Sequence, residues 1–197
     1  MKFLKCFTKE NFSKERILPL SLTAFVILLD QITKAIIANN YPINRFIVIN
    51  QVFNNDFLQI IHVRNPAIAF SLGTGLPDFI KPVIFIIVPI LVLIFLVLYY
   101  LKTNEFTKVQ RWAAAGIIGG GIGNIIDRLF RPEGVVDFID VKFYGLFGWD
   151  RWPTFNIADA SVVMCCILLL ITMFIPTKKT VKTDATETEP KKAETNE

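Results

Sequence analysis

Apolar residues fall into four long blocks, Ile17 to Ile37, Val83 to Leu101, Trp112 to Phe130 and Phe155 to Ile175. At the helical rise of 1.5 Å per residue, each block is long enough to cross a hydrocarbon core of about 30 Å. The second block carries no charge, whereas the other three hold polar residues toward one end. The pattern therefore predicts a scaffold helix and three helices that build a site. Between the first two blocks lies a long loop, residues 38–82. Within it Phe57 to Val63 (FLQIIHV) reads as a short strand, bounded by Asn54-Asn55-Asp56 and by Asn65-Pro66. A loop of this length inside a compact protein is usually functional. The stretch from Pro176 to Glu197 is Thr, Lys and Glu with almost nothing apolar, so a disordered tail is expected there. The chain divides into a basic arm (1–16), a membrane domain (17–175) and a tail (176–197), with no internal repeat.

Composition agrees with a membrane protein: 53% of residues are hydrophobic and 19% charged, well above the apolar share of an average soluble domain. Basic residues orient the helices, because cytoplasmic loops hold the excess of Lys and Arg. Lys2, Lys5, Lys9, Lys14 and Arg16 precede the first span. Lys102, Lys108 and Arg111 lie in the link after the second, and Lys178, Lys179, Lys182, Lys191 and Lys192 lie in the tail. The opposite side holds Arg45, Arg64, Lys81, Arg131, Lys142 and Arg151 over a longer span. Both termini are thus expected in the cytoplasm. The same bias and contact with anionic lipid explain the basic character of the chain, so no nucleic-acid partner is expected. No short apolar region of a cleavable leader precedes Cys6, and the first span resembles an uncleaved signal anchor. Cys165 and Cys166 are adjacent in the fourth span and read as packing residues.

Ionisable residues inside apolar segments are costly, and each is a functional hypothesis. In the first helix Asp30 and Lys34 lie four apart on one face. They are either an ion pair whose lysine reaches outward to the membrane surface or groups that hold a site in register. In the outer loop Asn65 starts the string NPAIAF; its amide can both donate and accept, as binding of an extended peptide requires, although a simple loop return needs no such role. The third helix carries Gly116, Gly119, Gly120, Gly121 and Gly123, whose four-residue spacings permit close helix contact in lipid. It then shows Asn124, Asp127 and Arg128, with Arg128 placed either to pair with Asp127 or a lipid phosphate or to meet a substrate. The fourth opens with Thr154 as a candidate N-cap, followed by Asn156, Ala158 and Asp159.

The alternating direction of the helices puts Asp137 and Asp159 at the same outer boundary, joined by a loop of about twenty residues. Two carboxylates that meet cannot both ionise easily and share a proton. The ionised member can then take a proton from water while the protonated member polarises a carbonyl. No Ser-His pair competes. His62, the single histidine, reads as a surface residue on the strand rather than a ligand, and zinc would want three or four ligands. Neither a metal nor a cofactor is called for.

The strings DQITK, NPAIAF, GGGIGNIIDR, VVDFID and FNIAD, in this order over residues 17 to 175, resemble the bacterial lipoprotein signal peptidase family, signal peptidase II. The resemblance implies a membrane all-α fold of four transmembrane helices, with a small extracytoplasmic β-cradle from the long outer loop. A short extracytoplasmic flap is implied at residues 143–153. It also implies an aspartic endopeptidase of the bacterial inner membrane, with its active site near the outer face and Asp137 and Asp159 as catalytic dyad. Asp30, Lys34, Asn65, Gly120, Asn124, Arg128, Asn156 and Ala158 match the motif positions that line or brace the site. The implied partners are membrane lipids and lipidated prolipoprotein substrates, cut just before a diacylglyceryl-bearing cysteine; a monomer is expected. The chain departs from the family where Ala67 replaces the usual glycine two residues after the Asn. Asp140, three residues after Asp137, falls outside the motif match and is read as supporting. A transporter or proton relay would show paired repeats and charges through the membrane; a non-enzymatic scaffold would leave the polar clusters without a purpose.

Overall fold

The computed structural model describes residues 13–44, 48–53, 56–66, 77 and 79–174. The loop string beyond Pro66, including Ala67, lies outside the described residues, as do Cys6 and the tail after Phe174. Helix α1 (Lys14–Ile17) leads into α2 (Leu20–Asn40), and strands β1 (Asn50–Gln51) and β2 (Leu58–Asn65) follow. Helices α3 (Val88–Lys102) and α4 (Lys108–Phe130), strand β3 (Val135–Val141) and helix α5 (Ile157–Phe174) complete the order. A π-helical turn, Val83–Ile87, precedes α3. Pro89 in the first turn of α3 lacks the N–H that would bond back along a regular helix, which suits the wider turn before it.

Among the described residues, the helices 14–40, 83–102 and 157–174 are long and apolar enough to cross a membrane. Their outward faces show Phe25, Leu28, Ile32, Leu91, Val92, Phe95, Met164, Leu170 and Met173 to the exterior, as lipid contact requires. Helix α4 has 23 residues, about 35 Å at helical rise, but its alanines and glycines lower its hydropathy. It is the central helix and packs most extensively on α5 and α2. Its start is a reciprocal capping box, with Gln110 N–H donating to Thr107 Oγ1 at 3.3 Å and Thr107 N–H to Gln110 Oε1 at 3.0 Å.

The predicted close contact at the glycines is present. A Cβ on Gly119 would stand 3.0 Å from the Thr23 carbonyl oxygen of α2, and one on Gly120 would overlap the Ala158 carbonyl of α5 and lie 2.7 Å from Val162. Two buried arginines close the other end of the bundle. Arg111 donates to the Thr103 carbonyl at 2.9 Å, and Arg16 donates to the Leu101 carbonyl and Asn104. They satisfy carbonyls at and just beyond the α3 C-terminus, which no intrahelical donor reaches.

The three strands form one antiparallel sheet in the order β1-β2-β3. The strand expected at Phe57 to Val63 is found at Leu58–Asn65, with a bulge between Ile60 and Val63. Strand β3 replaces the loop expected around Asp137. Its acidic residues fall three apart, out of step with a two-residue period, which hid a run of Val, Phe and Ile suited to a pleated surface. Val136 and Phe138 pack with Ile37 of α2 into a buried cluster that also gathers Ile60 and Ile157, so the sheet is anchored on the helix ends. Gly134, at φ +100°, makes the turn from α4 into β3, where a Cβ would overlap the backbone of Asn65 and Pro66. His62 is a correction to the sequence reading. It is 1% exposed, with Nδ1 on the Tyr41 carbonyl at 2.9 Å, because the bulge turns it under the sheet toward the end of α2.

Gly120→Val should destabilise the bundle by about 1–3 kcal/mol, the usual cost of overpacking, read as a lower unfolding temperature in detergent. An unfolding temperature equal to that of the parent would contradict the α4–α5 contact.

Candidate active site

The site is organised by the first turn of α5. Asn156, fully buried, is the N-cap: its Oδ1 accepts from the Asp159 N–H at 3.0 Å, and its own N–H donates to Asp159 Oδ2 at 3.2 Å. This is a reciprocal capping box with an aspartate at the third helical position, and it displaces Thr154 from the N-cap role expected of it. A carboxylate there also meets the positive end of the helix dipole. The Asn156 side-chain amide has two donors left, and it gives them to Asp137 Oδ1 at 2.7 Å and Asn124 Oδ1 at 3.2 Å. One asparagine therefore touches both aspartates.

Asp137 comes from β3. Its second oxygen accepts from Asn65 Nδ2 of β2 at 3.0 Å, so Asn65 lies beside Asp137. The extended geometry that Pro66 demands of Asn65 is supplied by the strand. Asp159 Oδ1 accepts from Asn124 Nδ2 at 2.7 Å. Burial pushes the Asp137 carboxyl up to about 7; the Asp159 charge raises it too, while the amides of Asn65 and Asn156 and the Lys34 charge oppose the rise. Arg128 stands within electrostatic reach of Asp159, Asp137 and Asp127.

Behind the two aspartates is a buried ion cluster. Lys34 and Asp30 are both inaccessible to solvent and 2.8 Å apart, which excludes the reading of Lys34 reaching out to the membrane surface. Lys34 also meets Asp127 at 3.1 Å and donates to Asn124 Oδ1 at 3.0 Å. Asp30 Oδ1 accepts the Ala158 N–H of α5 at 2.9 Å, and a Cβ on Gly123 would press to 2.7 Å from Asp30. Of the residues singled out from the sequence, Asp30, Lys34, Asn65, Asn124, Asp137, Asn156, Ala158 and Asp159 thus form one linked network. Gly120 borders it by its contact with Ala158.

Asp127 ties the site together more than its sequence position indicates. It is fully buried and accepts from Lys34, from Gln31 Nε2 at 3.0 Å, from the Val136 N–H at 3.1 Å and from Arg131. It thereby fixes the residue next to Asp137. The partner foreseen for it was Arg128, one residue along the helix; the signal missed was that a carboxylate on α4 facing α2 would meet Lys34. Asp140 pairs with Arg151 at 2.7 Å and, three residues along a strand, points away from Asp137. Cys165 and Cys166 are free thiols.

A family model described as signal peptidase (SPase) II matches residues 22–175. The chain belongs to the signal peptidase II family. The lipoprotein signal peptidase of Treponema pallidum (strain Nichols) is 47% identical over 171 residues, which is 87% of this chain and 90% of that protein. That of Treponema denticola is 45% identical over 165 residues, 84% of this chain and 93% of the relative. A solved structure described as a bacterial membrane enzyme, determined by the in meso method at 2.3 Å resolution, superposes with a TM-score of 0.67. It is 32% identical and covers 88% of this chain and 94% of its own. Membership of signal peptidase II makes the chain a lipoprotein signal peptidase, a membrane protease with several apolar helices.

The raised Asp137 carboxyl has a measurable sign. Its folded value, about 7, lies above the ordinary 3.8, so the folded state binds more protons between those limits. Stability should therefore fall as pH rises from about 4 to about 7, by up to about 1.4 kcal/mol per pH unit from this group. Asp137→Asn should flatten that slope in denaturation measured across the range. An unchanged slope would show that Asp137 is not the group responsible.

Proposed function

We propose that the chain is a membrane-embedded aspartic endopeptidase that removes the signal peptide from diacylglyceryl-modified prolipoproteins, cutting just before the lipidated cysteine. The observation that carries this reading is the pair Asp137 and Asp159 held by one buried asparagine at the end of a bundle of apolar helices. Relatives bearing the name lipoprotein signal peptidase support the substrate class. On this reading α4 is the fourth span, residues 17–175 are the catalytic domain, both termini face the cytoplasm of a bacterial inner membrane, and the enzyme works as a monomer. A substrate tethered by an apolar helix and a lipid then presents its scissile bond at the outer boundary, where the dyad lies.

The chemistry follows from the arrangement. Asp137, with its carboxyl near 7, holds the shared proton and donates a hydrogen bond to the scissile carbonyl. Ionised Asp159, fixed by Asn124 and by the Asn156 N–H, takes a proton from the attacking water. The tetrahedral intermediate collapses as the proton on Asp159 passes to the leaving amine, and the new carboxylic acid leaves with the signal peptide. Asn65 and Asn156 hold Asp137 against rotation, and Arg128 offsets the negative charge that the pair carries before and after turnover. Lys34, Asp30 and Asp127 act through Asn124, Ala158 and Val136 rather than on substrate.

Purified protein incubated with a lipidated prolipoprotein should cleave it, and Asp137→Asn or Asp159→Asn should each lower the rate by roughly 100-fold or more without loss of helix content. Chelators should leave the parent rate unchanged. Processing by either variant at the parent rate would overturn the dyad.

A further inference from the structure

Asp137 sits on one arm of a hairpin whose other arm leads into the first turn of α5, which holds Asp159, and the hairpin has its own lock. Strand β3 continues past Asp137 and is met by the returning segment before α5. Ile139 and Phe155 exchange backbone hydrogen bonds of 2.8 and 3.0 Å, the Trp152 N–H donates to the Val141 carbonyl at 2.8 Å, and Lys142 bridges to Arg151. The tip turns through Tyr144, Gly145 and Gly148, all at positive φ, and carries a Phe143–Trp152 ring contact with centroids 5.0 Å apart. Across the arms, Arg151 Nε donates to Asp140 Oδ2 at 2.7 Å. Arg151 also donates to the Asp56 carbonyl at 3.1 Å, and the Asp56 carboxylate pairs with Lys142, so the turn between β1 and β2 is tied to the same point.

Asp140 is 7% exposed, which makes this pair unlike an ordinary surface salt bridge. Removing either partner leaves a largely buried charge or a broken cross-strand link. Its place in the chain gives it consequence. Asp140 is three residues past Asp137 on one arm, about 10 Å along a strand, and Arg151 is five residues before Asn156 on the other. The separation of the arms sets how far apart Asp137 and the Asn156–Asp159 capping box lie.

We propose that Asp140 and Arg151 are positioning residues for the dyad, their ion pair fixing the spacing between the arm that carries Asp137 and the arm that leads into the Asn156–Asp159 box. This rests on the proteolytic reading above. A misplacement of about 1 Å at reacting groups is enough to cost roughly 100-fold in rate, so a pair outside the reacting shell can control turnover. Their side-chain contacts run to each other and to Asp56, so the effect is expected on kcat rather than KM.

The test compares Asp140→Asn, Arg151→Gln and the exchanged pair Asp140→Arg with Arg151→Asp in the full-length protein. Each single variant should lower kcat roughly 10- to 100-fold with KM within about twofold of the parent, while the exchanged pair recovers most of the loss. Hydrogen exchange, which needs no activity, should show faster exchange by about tenfold or more at the Phe138, Ile139, Asn156 and Asp159 amides of the single variants. Parent-like kcat in both single variants, a loss that tracks only the amount of folded protein, or unchanged exchange at those four amides would overturn the proposal. If the parent itself cleaves no lipidated precursor, the proteolytic reading fails, and the exchange measurement still decides whether the pair fixes the arms.

Discussion

A lysine ammonium with no access to solvent is the constraint on which the rest of this structure depends. Lys34 sits among apolar helices, where an unpaired charge costs several kcal/mol, and it is held by Asp30 on its own helix and Asp127 on α4. Arg131 adds a second cation at the edge of the cluster, so two carboxylates face two positive groups and the interior stays formally neutral. Because breaking such a pair costs about 3–5 kcal/mol, α2 and α4 cannot slide past one another without penalty. Each carboxylate also accepts from the backbone of a segment that carries a catalytic candidate: Asp30 uses its other oxygen for the Ala158 N–H of α5, and Asp127 uses the oxygen that meets Lys34 for the Val136 N–H of β3.

That arrangement converts helix packing into site geometry. The glycines of α4 let α2 and α5 approach closely enough for the cluster to close, with Gly120 against the Ala158 carbonyl and Gly123 against Asp30. The first turn of α5 is thereby pinned at Ala158, and its N-cap, Asn156, is left to use a capping box for a second purpose. The same side chain that starts the helix reaches Asp137. Strand β3 supplies that aspartate from the other side, held to β2 by backbone pairing and to Asn65 by its side-chain amide. The acid pair therefore depends on one buried asparagine, which in turn depends on a buried ion cluster one layer deeper.

The helices were legible because long apolar runs in a chain of this composition have one physical explanation. Their observed limits lie within a few residues of those read from Ile17, Val83, Trp112 and Phe155. The acidic pair was legible because an ionisable residue beside an apolar span demands a reason. What stayed hidden depended on contacts between segments far apart in sequence. Asp127 looked like a partner for the adjacent Arg128, and only the packing of α4 on α2 reveals that it belongs to Lys34. His62 looked exposed on an alternating strand until the bulge before Val63 turned it inward. Strand β3 was masked by the three-residue spacing of Asp137 and Asp140, a spacing that the strand explains by sending the two carboxylates to opposite faces. Asp140 and Arg151, eleven residues apart, are a pair that only the hairpin brings together.

Infrared spectroscopy of the protein with isotope-labelled aspartate carboxyls, recorded from about pH 5 to about pH 9, tests the shared-proton pair most directly. A pair held by Asn156 gives a protonated carboxyl band that persists to about pH 7 and is lost in Asp137→Asn. No protonated band above about pH 5, or a band unchanged by that substitution, would contradict it.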